Sequence, residues 1–176
     1  MSYCEFVNAL EEGTDNPNKY YHDYEYGFPL EDDNELFERL VLEINQAGLS
    51  WTTILKKRDN FRKAFDNFDI QKVAHYQDDK IEELLSDAGI IRNKLKINAA
   101  IYNANSIIAL QKEYGSFKEW LAIQNFESIE QAVKLFKKHF KFVGGEIVNE
   151  FLMSTGYLPG AHDESCKINK ELLKNS

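Results

Sequence analysis

A chain of 176 residues, 43% hydrophobic and 28% charged, can bury a substantial core and is too apolar to stay disordered. Its formal net charge of −8 argues against a generic nucleic-acid binder unless the basic residues gather on one face. No apolar run approaches the ~20 residues of a membrane helix, and the acidic start MSYCEFVNALEEGTDN lacks a basic signal region, so a cytoplasmic protein with no membrane partner is expected.

The predicted elements are helical from end to end. NELFERLVLEINQAG places apolar residues at 36, 37, 40, 41 and 44, with Asn34 as the expected N-cap and Gly48 as the stop. SWTTILKKRDNFRKAF repeats the pattern behind Ser50. DIQKVAHY and DKIEELLSDAG read as short helices, each opened by an aspartate. RNKLKINAAIYNANSIIALQKEYG is a long helix ending at Gly115, followed by SFKEWLAIQ, SIEQAVKLFKKHF and GGEIVNEFLMSTG. No segment alternates with period two, which makes the fold class all-α. The prolines at 17, 29 and 159 fall outside these helices.

Three stretches carry candidate chemistry. LLSDAGIIRNKLKI (84–97) joins two helices through Gly89-Ile90-Ile91, where a glycine backbone and free amides suit a phosphate beside Lys94 and Lys96. An ordinary helical turn with a glycine cap accounts for the same residues. LEINQAGLSW (42–51) puts Glu43 and Trp51 on either side of a small-residue turn, able to hold a planar polar ligand; a solvent-facing acid and a core indole is the plainer alternative. YYHDYEYG (20–27) surrounds His22 with tyrosines that can stack on a base or cap a core. The basic segments 56–63, 92–96 and 134–141 either converge on one face or lie on separate solvated ones.

The cysteines raise their own question. Cys4 and Cys166 sit near opposite ends, and His162 precedes Cys166 by four residues. A disulfide, two unrelated thiols, or a metal site closed by an N-terminal partner fit that pattern; a cytosolic compartment disfavours the first.

Together the blocks YYHDYEYG, LEINQAGLSWTTILKKRDNFRKAF, DAGIIRNKLKINAAIYNA and FKFVGGEIVNEFLMSTG resemble, in that order, the DNA-3-methyladenine glycosylase I family over nearly the whole chain. The resemblance implies a helix-hairpin-helix DNA glycosylase fold in a single domain, 1–176, with the hairpin element at about 81–105. It implies one structural zinc held by Cys4, His22, His162 and Cys166, tying the segments 1–27 and 157–176. The zinc set is the closed, tetrahedral kind without an open position. His75 and His139, without partners, read as surface residues.

The implied activity is monofunctional: a base-excision repair glycosylase, without lyase chemistry, that flips 3-methyladenine out of double-stranded alkylated DNA and releases it hydrolytically. It is expected to act as a monomer with no obligate protein partner. In that reading Glu43 reads the base as the catalytic-site carboxylate, and Trp51 and Tyr21 sandwich it, with Phe6 and Tyr26 completing the pocket. Leu49 fills the gap left in the stack, while Gly89, Ile91, Lys94 and Lys96 hold DNA. The aspartate usual after the hairpin in related glycosylases is missing from Asn93 to Asn105. Ionised Glu43 in an apolar pocket needs compensation, most simply from a tyrosine hydroxyl or a backbone amide. Four positions depart from the family pattern: Ile44 follows the glutamate where glycine is usual, Asn18 replaces a tyrosine, and Phe6 and Tyr26 replace tryptophans. These departures leave two alternatives, a catalytically silent lesion binder and a preference shifted to a base such as 3-methylguanine.

Overall fold

The computed structural model describes residues 1–174, and all regular structure among them is helical. In chain order the elements are α1 (Tyr3–Asn8), α2 (Pro17–Tyr20), a π-helical turn (Tyr21–Glu25), α3 (Asp33–Gln46), α4 (Trp51–Ala64), a 3-10 turn (Asp66–Phe68), α5 (Ile70–Ala74), α6 (Asp78–Leu85), α7 (Lys94–Tyr114), α8 (Phe117–Ile123), α9 (Ile129–His139), α10 (Gly145–Ser154) and α11 (Lys167–Lys174). Among the described residues no helix is long and apolar enough to cross a membrane. The chain divides into two compact units: Met1–Pro29 with the residues from Leu152 on, and Leu30–Phe151.

The second unit is built around aromatic side chains. Phe37, Phe61, Phe65 and Phe68 are at most 1% exposed, and Phe65 and Phe68 stack with an interplanar angle of 5°. Phe117, Trp120, Phe136, Phe140 and Phe151 form a second group, with Phe117 and Phe151 parallel at 6.2 Å. Asp33, in the first turn of α3, accepts the backbone N–H groups of Phe117 and Lys118 at 2.8 and 3.0 Å, so one carboxylate starts α8 and pins it to α3.

In the first unit one buried apolar cluster comprises Cys4, Cys166 and Ile168, with Phe28 and Leu172 against them; Val7, Tyr21, Tyr26 and Leu152 are buried as well. Gly27 adopts φ +87°, and a side chain there would meet the Ala161 Cβ at 3.0 Å. The Gly27 N–H donates to the Ser154 carbonyl at 2.8 Å, joining the early and late segments.

Several caps differ from the sequence expectation. Asp32, not Asn34, caps α3, accepting the Asn34 N–H at 2.8 Å. Asn34 is taken by a distant partner, the Ile70 N–H at 3.2 Å. α6 opens at Asp78 behind Gln77, which makes no side-chain cap. Pro17 lies inside a helix, but at its first position, where the missing N–H costs nothing. Ser50, Asp69, Asn93, Ser116 and Ser128 each accept an N–H of the first turn of the helix they start.

Candidate metal centre and buried carboxylate

Four side chains of the first unit converge at a buried point. The ligand atoms of Cys4, His22, His162 and Cys166 all lie within 4.8 Å of one another. His22 Nε2 is 3.2 Å from Cys4 Sγ and 3.2 Å from His162 Nδ1; Cys166 Sγ is 3.7 and 3.8 Å from the same two nitrogens. Bonds of about 2.3 Å to sulfur and about 2.0 Å to nitrogen in a tetrahedral zinc site separate the ligand atoms by about 3.3–3.8 Å, so the cluster has the dimensions of the ion's shell.

The other ring nitrogens are held as well. His22 Nδ1 lies 2.7 Å from the Asp23 carboxylate, and His162 Nε2 donates to the Tyr26 carbonyl at 2.6 Å. Each imidazole therefore presents its remaining nitrogen inward, the outer-shell arrangement that orients metal-bound histidines. The cysteines are unbridged, which removes the disulfide reading. Burial pushes the Cys4 thiol up to about 11, so a bound cation is what holds it as thiolate.

Local structure explains how His22 arrives. Within YYHDYEYG, Tyr20 ends α2 and Tyr21–Glu25 form a π-turn, closed by the Tyr26 N–H on the Tyr21 carbonyl at 2.7 Å. The wider turn lets the consecutive Tyr21 and His22 both be buried, at 1% and 0% exposure.

Tyr3, which the sequence did not single out, is the hub of this unit's aromatic group. Its ring contacts those of Phe6, Tyr21, His22 and Tyr26 at centroid distances of 5.3–6.5 Å. Its hydroxyl donates to Asn18 Oδ1 at 2.9 Å, and Asn18 is buried. The asparagine thus anchors a neighbouring tyrosine where the resemblance led one to expect a lost aromatic contact. Tyr21 and Tyr26 lie 5.7 Å apart, whereas Phe6 is 36% exposed beside Tyr3.

In the second unit Glu43 sits in the last turns of α3, 4% exposed between buried Leu42 and Ile44. Burial, reinforced by the Glu150 carboxylate, pushes its carboxyl up to about 8, and Arg39 one turn earlier opposes the shift. In the free protein at neutral pH the acid is therefore mainly protonated. The expected compensation by a tyrosine or amide is not what the structure supplies; a guanidinium gives part of it. Ile44 points into the core at 1% exposure.

Between Glu43 and Trp51 the chain makes a type II turn. Ala47 has φ −53° and ψ 119°, Gly48 has φ +83°, and the Leu49 N–H donates to the Gln46 carbonyl at 2.8 Å. Nothing lies within 4 Å of a Cβ built on Gly48, so its requirement is conformational. Gln46 Nε2 donates to the Leu49 carbonyl at 2.9 Å, and Leu49 stands 39% exposed at the tip. Ser50 then caps α4, whose first residue, Trp51, is half-buried.

The hairpin between α6 and α7 differs in detail from its sequence reading. Gly89 is outside the left-handed region; it is glycine because a Cβ would come within 3.0 Å of Asp87 Oδ1 and 3.1 Å of Asn60. Its N–H donates to Asp87 at 2.8 Å and is not available to a phosphate. Ile91 is half-buried and Lys94 exposed. Lys96 is a correction: it is 7% exposed, and its Nζ donates to the Asn45 and Ala47 carbonyls at 3.2 and 3.1 Å, so it faces the end of α3 and not solvent.

Of the other basic segments, Lys57 reaches the hairpin through the Ala88 carbonyl at 3.4 Å, while Arg62 pairs with Glu38 at 2.6 Å. Lys141 meets α7 further along, its ammonium 4.2 Å from the Tyr102 ring centre and its N–H on Asn103 at 2.8 Å. His75 is exposed as expected; His139 is not a surface residue but half-buried, edge-on to Trp120 at 5.1 Å.

Comparison with known proteins adds independent findings. The model of the methyladenine glycosylase family matches residues 12–170. DNA-3-methyladenine glycosylase 1 of Escherichia coli (strain K12) is 39% identical over 155 residues, 77% of this chain and 83% of that protein. DNA-3-methyladenine glycosylase of Haemophilus influenzae is 32% identical over 167 residues, covering 84% and 90%. Among solved structures, 3-methyladenine DNA glycosylase I of Staphylococcus aureus superposes with a TM-score of 0.81 at 32% identity, covering 92% of this chain and 96% of that one.

Proposed function

The chain belongs to the DNA-3-methyladenine glycosylase I family of the helix-hairpin-helix superfamily, and from that premise we propose which of its residues perform the family's reaction. It is a monofunctional, hydrolytic glycosylase of base-excision repair that releases 3-methyladenine from DNA without a lyase step. Cys4, His22, His162 and Cys166 hold one structural zinc, which crosslinks the segments bearing them and supplies no chemistry to the base. The family match crosses both units, which supports treating residues 1–176 as one functional domain with its hairpin at about 81–105.

3-Methyladenine in DNA is a cation, so its glycosidic bond is weak and needs little acid help. As the bond breaks, its electron pair stays on the base, which leaves neutral; water adds its oxygen to C1′ and its proton passes to solvent. The protein's part is to extract the base, hold it and reject neutral adenine. Glu43 accepts the exocyclic amine and complements the charge. In the empty protein its burial keeps the carboxyl protonated, and the arriving cation drives off that proton, so carboxylate and lesion stabilise one another. Trp51 and Tyr21 stack on the base, Tyr26 and Phe6 extend the aromatic wall, and each favourable aromatic face is worth about 0.5–2 kcal/mol for a cation. Leu49 occupies the vacated stack. The hairpin, through Ile91 and Lys94, grips the backbone of double-stranded alkylated DNA, with Gly89 seating the hairpin against Asn60 of α4 and Lys96 acting from behind the turn.

We further infer a monomeric enzyme of the cytoplasm that needs no protein partner. The observation carrying the reading is a buried carboxylate one turn before a rigid, leucine-tipped turn. A single-turnover assay on methylated DNA, with chromatography of the released bases, tests it. Release of 3-methyladenine ahead of 3-methylguanine supports the reading; 3-methylguanine first, or tight lesion binding without release, overturns it.

A further inference from the structure

Lysines are seldom buried, and Lys96 is buried against main chain rather than against a carboxylate. Both acceptors lie at the end of α3: the Asn45 carbonyl, one of the last of the helix, and the Ala47 carbonyl inside the type II turn. Helix C-terminal carbonyls lack intrahelical partners and carry the negative end of the helix dipole, so an ammonium there satisfies two orphan acceptors at once. The lysine itself stands in the first turn of α7, immediately after the hairpin. Other contacts bind the hairpin to the far side of the same turn. Lys57 of α4 donates to the Ala88 carbonyl, and Gly89 packs against Asn60 of α4. Leu49 is thus flanked by two helices, each fastened to the hairpin.

We propose that Lys96 is a positioning residue for base excision: it clamps the turn bearing Leu49 to the second helix of the hairpin, so that DNA gripped at the hairpin meets the leucine at a fixed depth. The inference rests on the reading of the hairpin as DNA clamp and of Leu49 as wedge. Without the ammonium, two carbonyls lose their donor, and the turn relaxes from the position that fills the stack. Lys96 touches neither the base nor the reacting atoms and acts through Leu49.

The test compares Lys96→Met, Leu49→Ala and the double variant with the zinc-loaded wild type. Single-turnover release from methylated DNA should fall roughly ten- to a hundredfold in Lys96→Met, the usual consequence of a misplacement of about 1 Å. Affinity for free 3-methyladenine, which needs no wedge, should stay unchanged, as should the salt dependence of binding to undamaged DNA. The double variant should be no slower than Leu49→Ala, because coupled residues lose the same function once. Should Lys96→Met not fold, Lys96→Leu, which likewise removes the donor, carries the same comparison. A wild-type release rate, losses that simply multiply, or a salt slope shallower by about 0.9, the mark of a lost phosphate contact, overturns the clamp. Wild-type release by Leu49→Ala would instead remove the wedge reading, and the clamp with it; slow Leu49→Ala beside normal Lys96→Met removes the clamp alone.

Discussion

The two units of this chain are held by different means. Of the largest fully buried side chains, all but Tyr21 lie in residues 30–151, where phenylalanines, Trp120 and leucines come from five helices and from the 3-10 turn region. The other unit has a buried apolar cluster whose members include two of its own metal ligands. Its strongest tie joins residues 4 and 22 to residues 162 and 166 through zinc. Segments too short to exclude enough water acquire stability from a metal; the longer segment acquires it from burial. Glu43, the buried acid we propose as the reader of the base, belongs to the unit without the metal ligands.

The largest expected effect breaks the comparison at its metal end. Structural zinc binding is worth about 10–16 kcal/mol in small zinc domains, more than most domains' total stability. Chelation, or Cys166→Ala, should abolish amide protection over 1–29 and 152–174 while 30–151 keeps most of its own, read by hydrogen exchange with mass spectrometry. Equal loss in both units would show that they share one source of stability.

At the other end, Phe117→Ala removes a ring that stacks against Trp120 and Phe151. It should cost about 3–5 kcal/mol in chemical denaturation of the second unit. Zinc content, measured by metal analysis of the folded protein, should remain one per chain.

A smaller effect follows from Glu43. Its carboxyl titrates near 4.5 when unfolded and at about 8 when folded, so between those values the native state binds the extra proton. Stability from this group is intact below pH 4.5 and lost as pH rises through 8. The wild-type melting temperature, relative to Glu43→Gln, should fall by roughly 10 °C between pH 5.5 and 8.5. A constant difference across that range would place Glu43 in contact with water or with a stronger cation.

The smallest effect concerns DNA. Lys94→Glu should weaken binding to any sequence and lower the slope of log affinity against log salt by about 0.9 for the lost phosphate contact, measured by titration at several salt concentrations. An unchanged slope would move the anchor elsewhere.

Helices with a clean apolar stripe and a serine, aspartate or asparagine ahead of them were legible, as α4, α5 and α7 show. What escaped notice depends on partners far away in sequence. Asn34 and Asp32 are equally good caps on paper, and only the Ile70 amide, 36 residues on, decides between them. Lys96 reads as a phosphate ligand until the carbonyls of residues 45 and 47 are seen to face it. Gly89 looks conformational, yet the constraint is Asn60. Of the site, the four metal ligands followed from family resemblance, because side-chain type and order carry that information. Tyr3 did not, since an aromatic residue near a chain end announces nothing until four rings pack around it. The π-turn was equally hidden, because its departure from an α-helix serves to bury adjacent residues.

The proposed reaction depends on Glu43 as the reader of the methylated base. Glu43→Gln keeps the shape, removes the charge and replaces an acceptor with a donor; a buried hydrogen bond to a charged group contributes roughly 1.5–3 kcal/mol. The direct measurement is the affinity of free 3-methyladenine, followed by tryptophan fluorescence, together with the single-turnover release rate from methylated DNA, in wild type and Glu43→Gln at matched zinc content. The variant should bind the base and release it roughly ten- to a hundredfold less well, with fold and zinc unaltered. Equal affinity and equal release rate in the two proteins would contradict that role.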